Sequence, residues 1–174
     1  MAAISRSRRS SSGIALIVAG ALFVLAILLP LIGIAFPWFF VLGYAAMAVA
    51  FVLLGLGAVN NTVAKIALFA AAVGWALLVL GALGVGLPGV LVSIAAVVAG
   101  VGGLIAAIVL YVGKQITNTP AMAFVIATIL GVFFVLGLVG TFAFGTLGVV
   151  ITVLFGVALI ATGVLFRRTE GSRR

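Results

Sequence analysis

The amino-acid sequence predicts an all-α fold: a polytopic transmembrane bundle of six helices, arranged as three helical hairpins with both termini inside. Three observations predict it. Of 174 residues, 67% are hydrophobic and only 6% are charged, against about a quarter charged in an ordinary globular domain. The chain divides into six apolar stretches, each of the roughly 20 residues that a helix needs to cross about 30 Å of hydrocarbon. All nine lysines and arginines fall at the chain ends or at alternate breaks between those stretches.

The stretches are residues 13–36, 38–59, 64–86, 89–113, 120–140 and 146–166, within a transmembrane domain spanning 13–166. Residues 1–12 and 167–174 are left as basic cytoplasmic tails, too short to bury a core. Helices are preferred to a barrel because backbone polar groups in lipid must be satisfied internally, and the ten-residue polar/apolar alternation of barrel strands is absent. Pro37, Pro88 and Pro120 sit at helix starts, where the missing N–H and fixed φ suit the first turn. Asn60, Asn61 and Thr62, and then Thr117, Asn118 and Thr119, form polar turns whose side chains can cap the next helix. The turn at 141–145 is less polar, marked by Thr141 and Gly145. Pro30 falls inside the first stretch, where it predicts a kink or local break over 26–30, either a hinge or a static bend.

Arg6, Arg8 and Arg9 precede the first crossing, Lys65 and Lys114 flank the second and fourth turns, and Arg167, Arg168, Arg173 and Arg174 follow the sixth crossing. Short loops rich in lysine and arginine stay cytoplasmic, which places both termini inside and the turns near Pro37, Pro88 and Phe142 outside. The same cations can touch anionic headgroups. A cleaved signal is the competing reading of the first stretch, since Arg8 and Arg9 precede serines. Its apolar run is too long for a signal core of 7 to 15 residues.

The missing side chains narrow the function. The chain has no Cys, His or Asp, and its one acidic residue is Glu170. General acid or base chemistry needs a titratable group in position, and intramembrane relays need ionisable ones. No catalytic, metal-binding or cofactor-binding residue is therefore assigned, no cofactor is expected, and neither an enzyme nor a nucleic-acid binder is predicted. Inside the bilayer, Ser93, Thr128, Thr152 and Thr162 can return their hydroxyls to their own helix or bond to another; packing is favoured over a polar pore, for want of a continuous polar stripe. Trp38 with Phe36, Phe39 and Phe40 marks the outer interface, and Tyr111 and Phe166 the inner one, while Tyr44 and Trp75 lie deeper.

Small residues give the clearest packing signal. Ala95, Ala99, Gly103 and Ala107 repeat every four residues, as do Ala123, Ala127 and Gly131, and then Gly148, Thr152 and Gly156. Such ridges let backbones approach within a bundle or, if left exposed, in a homo-oligomer. Repetition by hairpins is visible in LIAAIVLY at 104–111 and LIATGVLF at 159–166, an offset of 55 residues.

Gly74 and Gly81 ahead of Pro88, then Gly102 and Gly103, Gly131 and Gly137, and Gly156 and Gly163 before Arg167 and Arg168, resemble the HdeD-like acid-resistance membrane proteins. The third hairpin lacks the proline that often marks the outer turn in that family. The resemblance implies a six-helix architecture and a role in envelope stress, with no catalytic residues. The expected function is that of a non-enzymatic structural or accessory protein of the cell membrane, of bacterial inner-membrane type, acting through lipids, a membrane complex or a second copy. The alternative is a small channel or facilitator for a neutral or anionic solute.

Overall fold

The computed structural model describes residues 6–34, 36, 38–58, 61–140 and 146–168. Its six helices are α1 Arg6–Leu31, α2 Trp38–Gly57, α3 Thr62–Ala82, α4 Gly89–Val112, α5 Asn118–Leu138 and α6 Thr146–Arg168. All six are long and apolar enough to cross a membrane.

The boundaries shift where the chain offers a cap. α1 starts seven residues before the predicted crossing, Arg6–Ser12 continuing the helix; within it the Ser12 hydroxyl donates to the Arg9 carbonyl at 2.9 Å. Arg8 and Arg9 therefore ride on the first two turns of α1 and not in a separate tail. At 26 residues, α1 is about 39 Å long, which carries those turns beyond a 30 Å hydrocarbon slab. α1 runs through Pro30 and ends one residue later at Leu31, so Pro30 lies in its last turn. Gly33, at φ 83°, closes that end while the Ile34 N–H donates back to the Leu29 carbonyl.

α3 ends the same way at Gly84, and α4 does so with a lysine, Lys114, in the left-handed region at φ 51°. Asn61 caps α3 by accepting from the Ala64 N–H at 3.0 Å. Thr117 precedes α5 without a side-chain cap, and Pro88 stands just before α4. Pro120 is in the first turn of α5, as predicted. Asn60, Pro37, the turn at 141–145, Glu170, Arg173 and Arg174 lie outside the described residues. Arg167 and Arg168, assigned to a tail by sequence, belong to the last turn of α6.

Each helix packs on its neighbours in sequence, and α1 packs on α6, so the six form a closed ring. Two seams are very close. A Cβ added to Gly13 would lie 2.8 Å from the Gly163 carbonyl, and one on Gly156 would lie 2.8 Å from that of Gly20. α1 and α6 are thus antiparallel, in contact at glycines seven residues apart on each helix. In the α3–α4 seam a Cβ on Gly74 would lie 2.7 Å from the Ala95 carbonyl, and one on Gly102 3.2 Å from that of Ala67. Lipid tails give helices no hydrophobic reason to associate, so close packing of this kind carries the assembly.

The outside of the ring is aliphatic, with Val49, Ile66, Val73, Ile94, Ile126 and Val157 all exposed, as a lipid-facing surface requires. Antiparallel order gathers the described cations, Arg8, Arg9, Lys65, Lys114, Arg167 and Arg168, at one end of the ring. The α2–α3 and α4–α5 connections meet there, with Asn61 beside Gly113.

Candidate functional site

The interior of the ring is filled by aromatic side chains from five helices. Phe23 of α1 lies 5.3 Å from Phe134 of α5 and 5.5 Å from Phe155 of α6, which are themselves 5.3 Å apart between centroids. Trp75 of α3 stacks on Phe155 at 6.4 Å and 14°, and Tyr44 of α2 lies 5.7 Å from Trp75. These are ordinary aromatic contact distances, each pair worth about 0.5–1.5 kcal/mol beyond its buried area. α4 contributes no ring to this layer. Ala99, Gly100 and Gly103 leave the volume that the five rings occupy. A second layer towards the basic end joins Phe51, Phe124 and Phe166, with centroids 6.0 and 5.8 Å apart.

Two spaces adjoin the aromatic layer. Beyond it, at the uncharged end, is a cavity of about 340 Å³ walled by Trp38, Phe40, Val41, Tyr44, Ala82 and Leu138. This is a vestibule of ligand-pocket size, with Tyr44 at its buried side and no charged side chain in its wall. Beneath the layer is a void of about 10 Å³ against Trp75, Gly103 and Thr128, at the lower limit for one water. The Trp75 indole N–H is buried there without a hydrogen-bond partner among the described residues. The stacked rings separate the two spaces.

The hydroxyls do not line a path. Thr128 donates to the Phe124 and Val125 carbonyls at 3.0 and 2.9 Å, Thr152 to Gly148 at 2.8 Å and Thr162 to Ala158 at 2.8 Å. Each hydroxyl is spent inside its own helix, where backbone carbonyls a turn back are the nearest acceptors. Ser93 is half-buried.

The small-residue ridges lie within the ring. Ala95, Ala99, Gly103, Ala107, Ala127, Gly131, Thr152 and Gly156 are buried, while Ala123 and Gly148 are half-buried. Gly131 faces the Phe155 ring and Gly103 the Phe51 ring. The closest approaches to the backbone of another helix belong to Gly13, Gly20, Gly74, Gly156 and Gly163, of which the four-residue spacing singles out only Gly156. A seven-residue period would have found them, since Gly13 and Gly20, Gly156 and Gly163, and Ala67, Gly74 and Gly81 all keep it.

The interface aromatics divide. Trp38, Phe36 and Tyr111 are exposed, whereas Phe166 is fully buried against Phe124 and does not mark an interface. At the basic end, a groove of about 450 Å³ between α1 and α6 is lined by Ser10, Val164, Arg167 and Arg168. The Nε of Arg9, the residue before Ser10, is buried without a hydrogen-bond partner among the described residues. Among the described residues no group of His, Cys, Asp or Glu is placed to hold a metal ion.

A ring of six membrane-length helices around an aromatic core defines a multi-pass integral membrane protein. No family model matches the chain, and no curated protein or solved structure is found to be similar to it.

Proposed function

We propose that this protein is a non-enzymatic accessory bundle of the cell membrane, of bacterial inner-membrane type, its three hairpins oriented with both termini cytoplasmic. The observation that carries the reading is the chain of ring contacts joining Phe23, Tyr44, Trp75, Phe134 and Phe155, which fills the middle of the bundle with aromatic side chains. The lipid-facing exterior and the cations at one end fit a protein whose contacts are headgroups and membrane partners. Envelope stress is the physiological setting that the HdeD-like glycine pattern suggests. Cross-linking in the native membrane tests the role, and recovery of a reproducible membrane complex or of homo-oligomers is expected. Reporter fusions after Arg174 and near Pro88 test orientation; they are expected to read cytoplasm and exterior respectively, and an exterior C-terminus overturns it.

The vestibule favours a second reading, a facilitator for a small neutral or anionic solute that enters at the uncharged end and crosses when the rings part. Flux of such a solute into proteoliposomes above that of empty vesicles would replace the accessory reading with this one.

A further inference from the structure

The α1–α6 seam brings the first turns of one helix to the last turn of the other. Because Gly13 and Gly163 allow backbone contact, the Cγ of Arg167 packs over Gly13, 3.3 Å from where a Cβ would stand. The chain segments bearing Arg8 and Arg9 are thereby set beside Arg167 and Arg168. No acidic side chain faces these four guanidinium groups among the described residues. The carbonyls at the α6 C-terminus offset part of the charge of Arg167 and Arg168, but the α1 N-terminus adds positive potential on the same side. Two further observations fit an anion bound here. The groove between the helices is polar and roomy, about 450 Å³, with Ser10 on one wall and Arg167 and Arg168 on the other. The Nε of Arg9, the residue before Ser10, is buried without an acceptor among the described residues, which is costly for a donor unless an acceptor arrives.

We propose that this groove is a specific phosphate site, held by Arg167 and Arg168 with Ser10 as hydrogen-bond donor and the half-buried Arg9 adding positive charge nearby. Guanidinium forks match phosphate oxygens two at a time, which an ammonium cannot do. The phosphate belongs to an anionic phospholipid headgroup or to a free phosphate monoester, the chemistry at the arginines being shared. The inference rests on the proposed contact of the basic end with anionic groups, and it concentrates that contact in one seam; Lys65 and Lys114 lie at the same end on other helices and take no part.

The test uses the full chain in nanodiscs of phosphatidylglycerol and phosphatidylcholine, with retained phospholipid counted by native mass spectrometry. A tightly retained phosphatidylglycerol is expected, and Arg167→Gln with Arg168→Gln should reduce its retention by more than tenfold, each near-surface cation being worth about fivefold. Lys65→Gln with Lys114→Gln should change it less than twofold. Arg167→Lys with Arg168→Lys keeps the charge and loses the fork, and should still reduce retention several-fold, which serves the test if the glutamine pair does not fold. In discs of phosphatidylcholine alone, a rise in thermal stability with millimolar inorganic phosphate would assign the site to free phosphate; dependence on phosphatidylglycerol assigns it to lipid. Equal losses from the arginine and lysine pairs would mean diffuse attraction at the basic end and would overturn the site while sparing the general contact. No effect of either anion overturns both.

Discussion

Gly74→Ala, compared with Gly81→Ala, isolates the energy of the α3–α4 seam. The two glycines stand seven residues apart on α3 and face α4. At Gly74 the new Cβ would lie 2.7 Å from both the Ala95 carbonyl oxygen and the Ala99 nitrogen, and 2.9 Å from the Ala99 Cα. All three are backbone atoms, so relief requires the helices to separate by about 0.7 Å to restore ordinary 3.4 Å contact. At Gly81 the nearest atom is a Val92 methyl at 3.2 Å, which needs to yield only about 0.2 Å. Overpacking against a wall that cannot rotate aside belongs at the upper end of the 1–3 kcal/mol range, about 3 kcal/mol. Both substitutions gain the same helix propensity, about 1 kcal/mol. Gly74→Ala is therefore expected to destabilise by about 2 kcal/mol and Gly81→Ala to be neutral or slightly stabilising. The shared propensity gain cancels in their difference. SDS titration in mixed micelles, followed by Trp fluorescence and circular dichroism, measures it. A difference below about 0.5 kcal/mol, or one of opposite sign, would refute backbone contact at this seam.

Lys114→Gly should stabilise by about 1 kcal/mol in the same assay, since a lysine held at φ 51° bears a left-handed strain that glycine does not; a loss of stability would mean that the ammonium makes a compensating contact. Trp75→Phe removes a buried N–H that has no partner among the described residues, along with part of a ring, two effects of about 1–3 kcal/mol and opposite sign, so stability should stay within about 1 kcal/mol of the parent. A cost above 3 kcal/mol would show that the indole has a partner. Phe155→Ala, which opens the middle of the aromatic layer, should cost about 3–5 kcal/mol; leakage of small solutes through proteoliposomes of this variant, with none through the parent, would locate the closure of the axis at these rings. Asn61→Ala should cost about 1 kcal/mol through loss of the α3 cap, and an unchanged stability would argue that the Ala64 N–H finds another acceptor.

The number of helices was legible because apolar length and the placement of cations are one-dimensional signals. Asn61 as a cap and Pro120 in a first turn were legible for the same reason, each being a local preference. The end of α1 at Leu31 was less legible, because the apolar run continues past Pro30 to Phe36 and gives no polar break there. Closure by α1 and α6 was not legible, since the hairpin pattern pairs neighbours and the glycines of this seam follow a period of seven, of which the four-residue ridges include only Gly156. Nor was the aromatic layer. Phenylalanines are frequent throughout this chain, and nothing in the spacing of Phe23, Phe134 and Phe155 distinguishes them from those facing lipid. The quieter sign was α4, which holds no Phe or Trp and turns Ala99, Gly100 and Gly103 to the interior.

Ring closure also bears on biosynthesis. A chain inserted from its N-terminus places α1 in the bilayer long before α6, with everything between Leu31 and Thr146 intervening. Until α6 arrives, the Gly13–Gly20 face of α1 has no partner and stays open to lipid or to another nascent helix. The contact that completes the ring is therefore the last to form, and a ribosome stalled before α6 would leave a five-helix intermediate with that seam open to capture by an insertase or by a second chain.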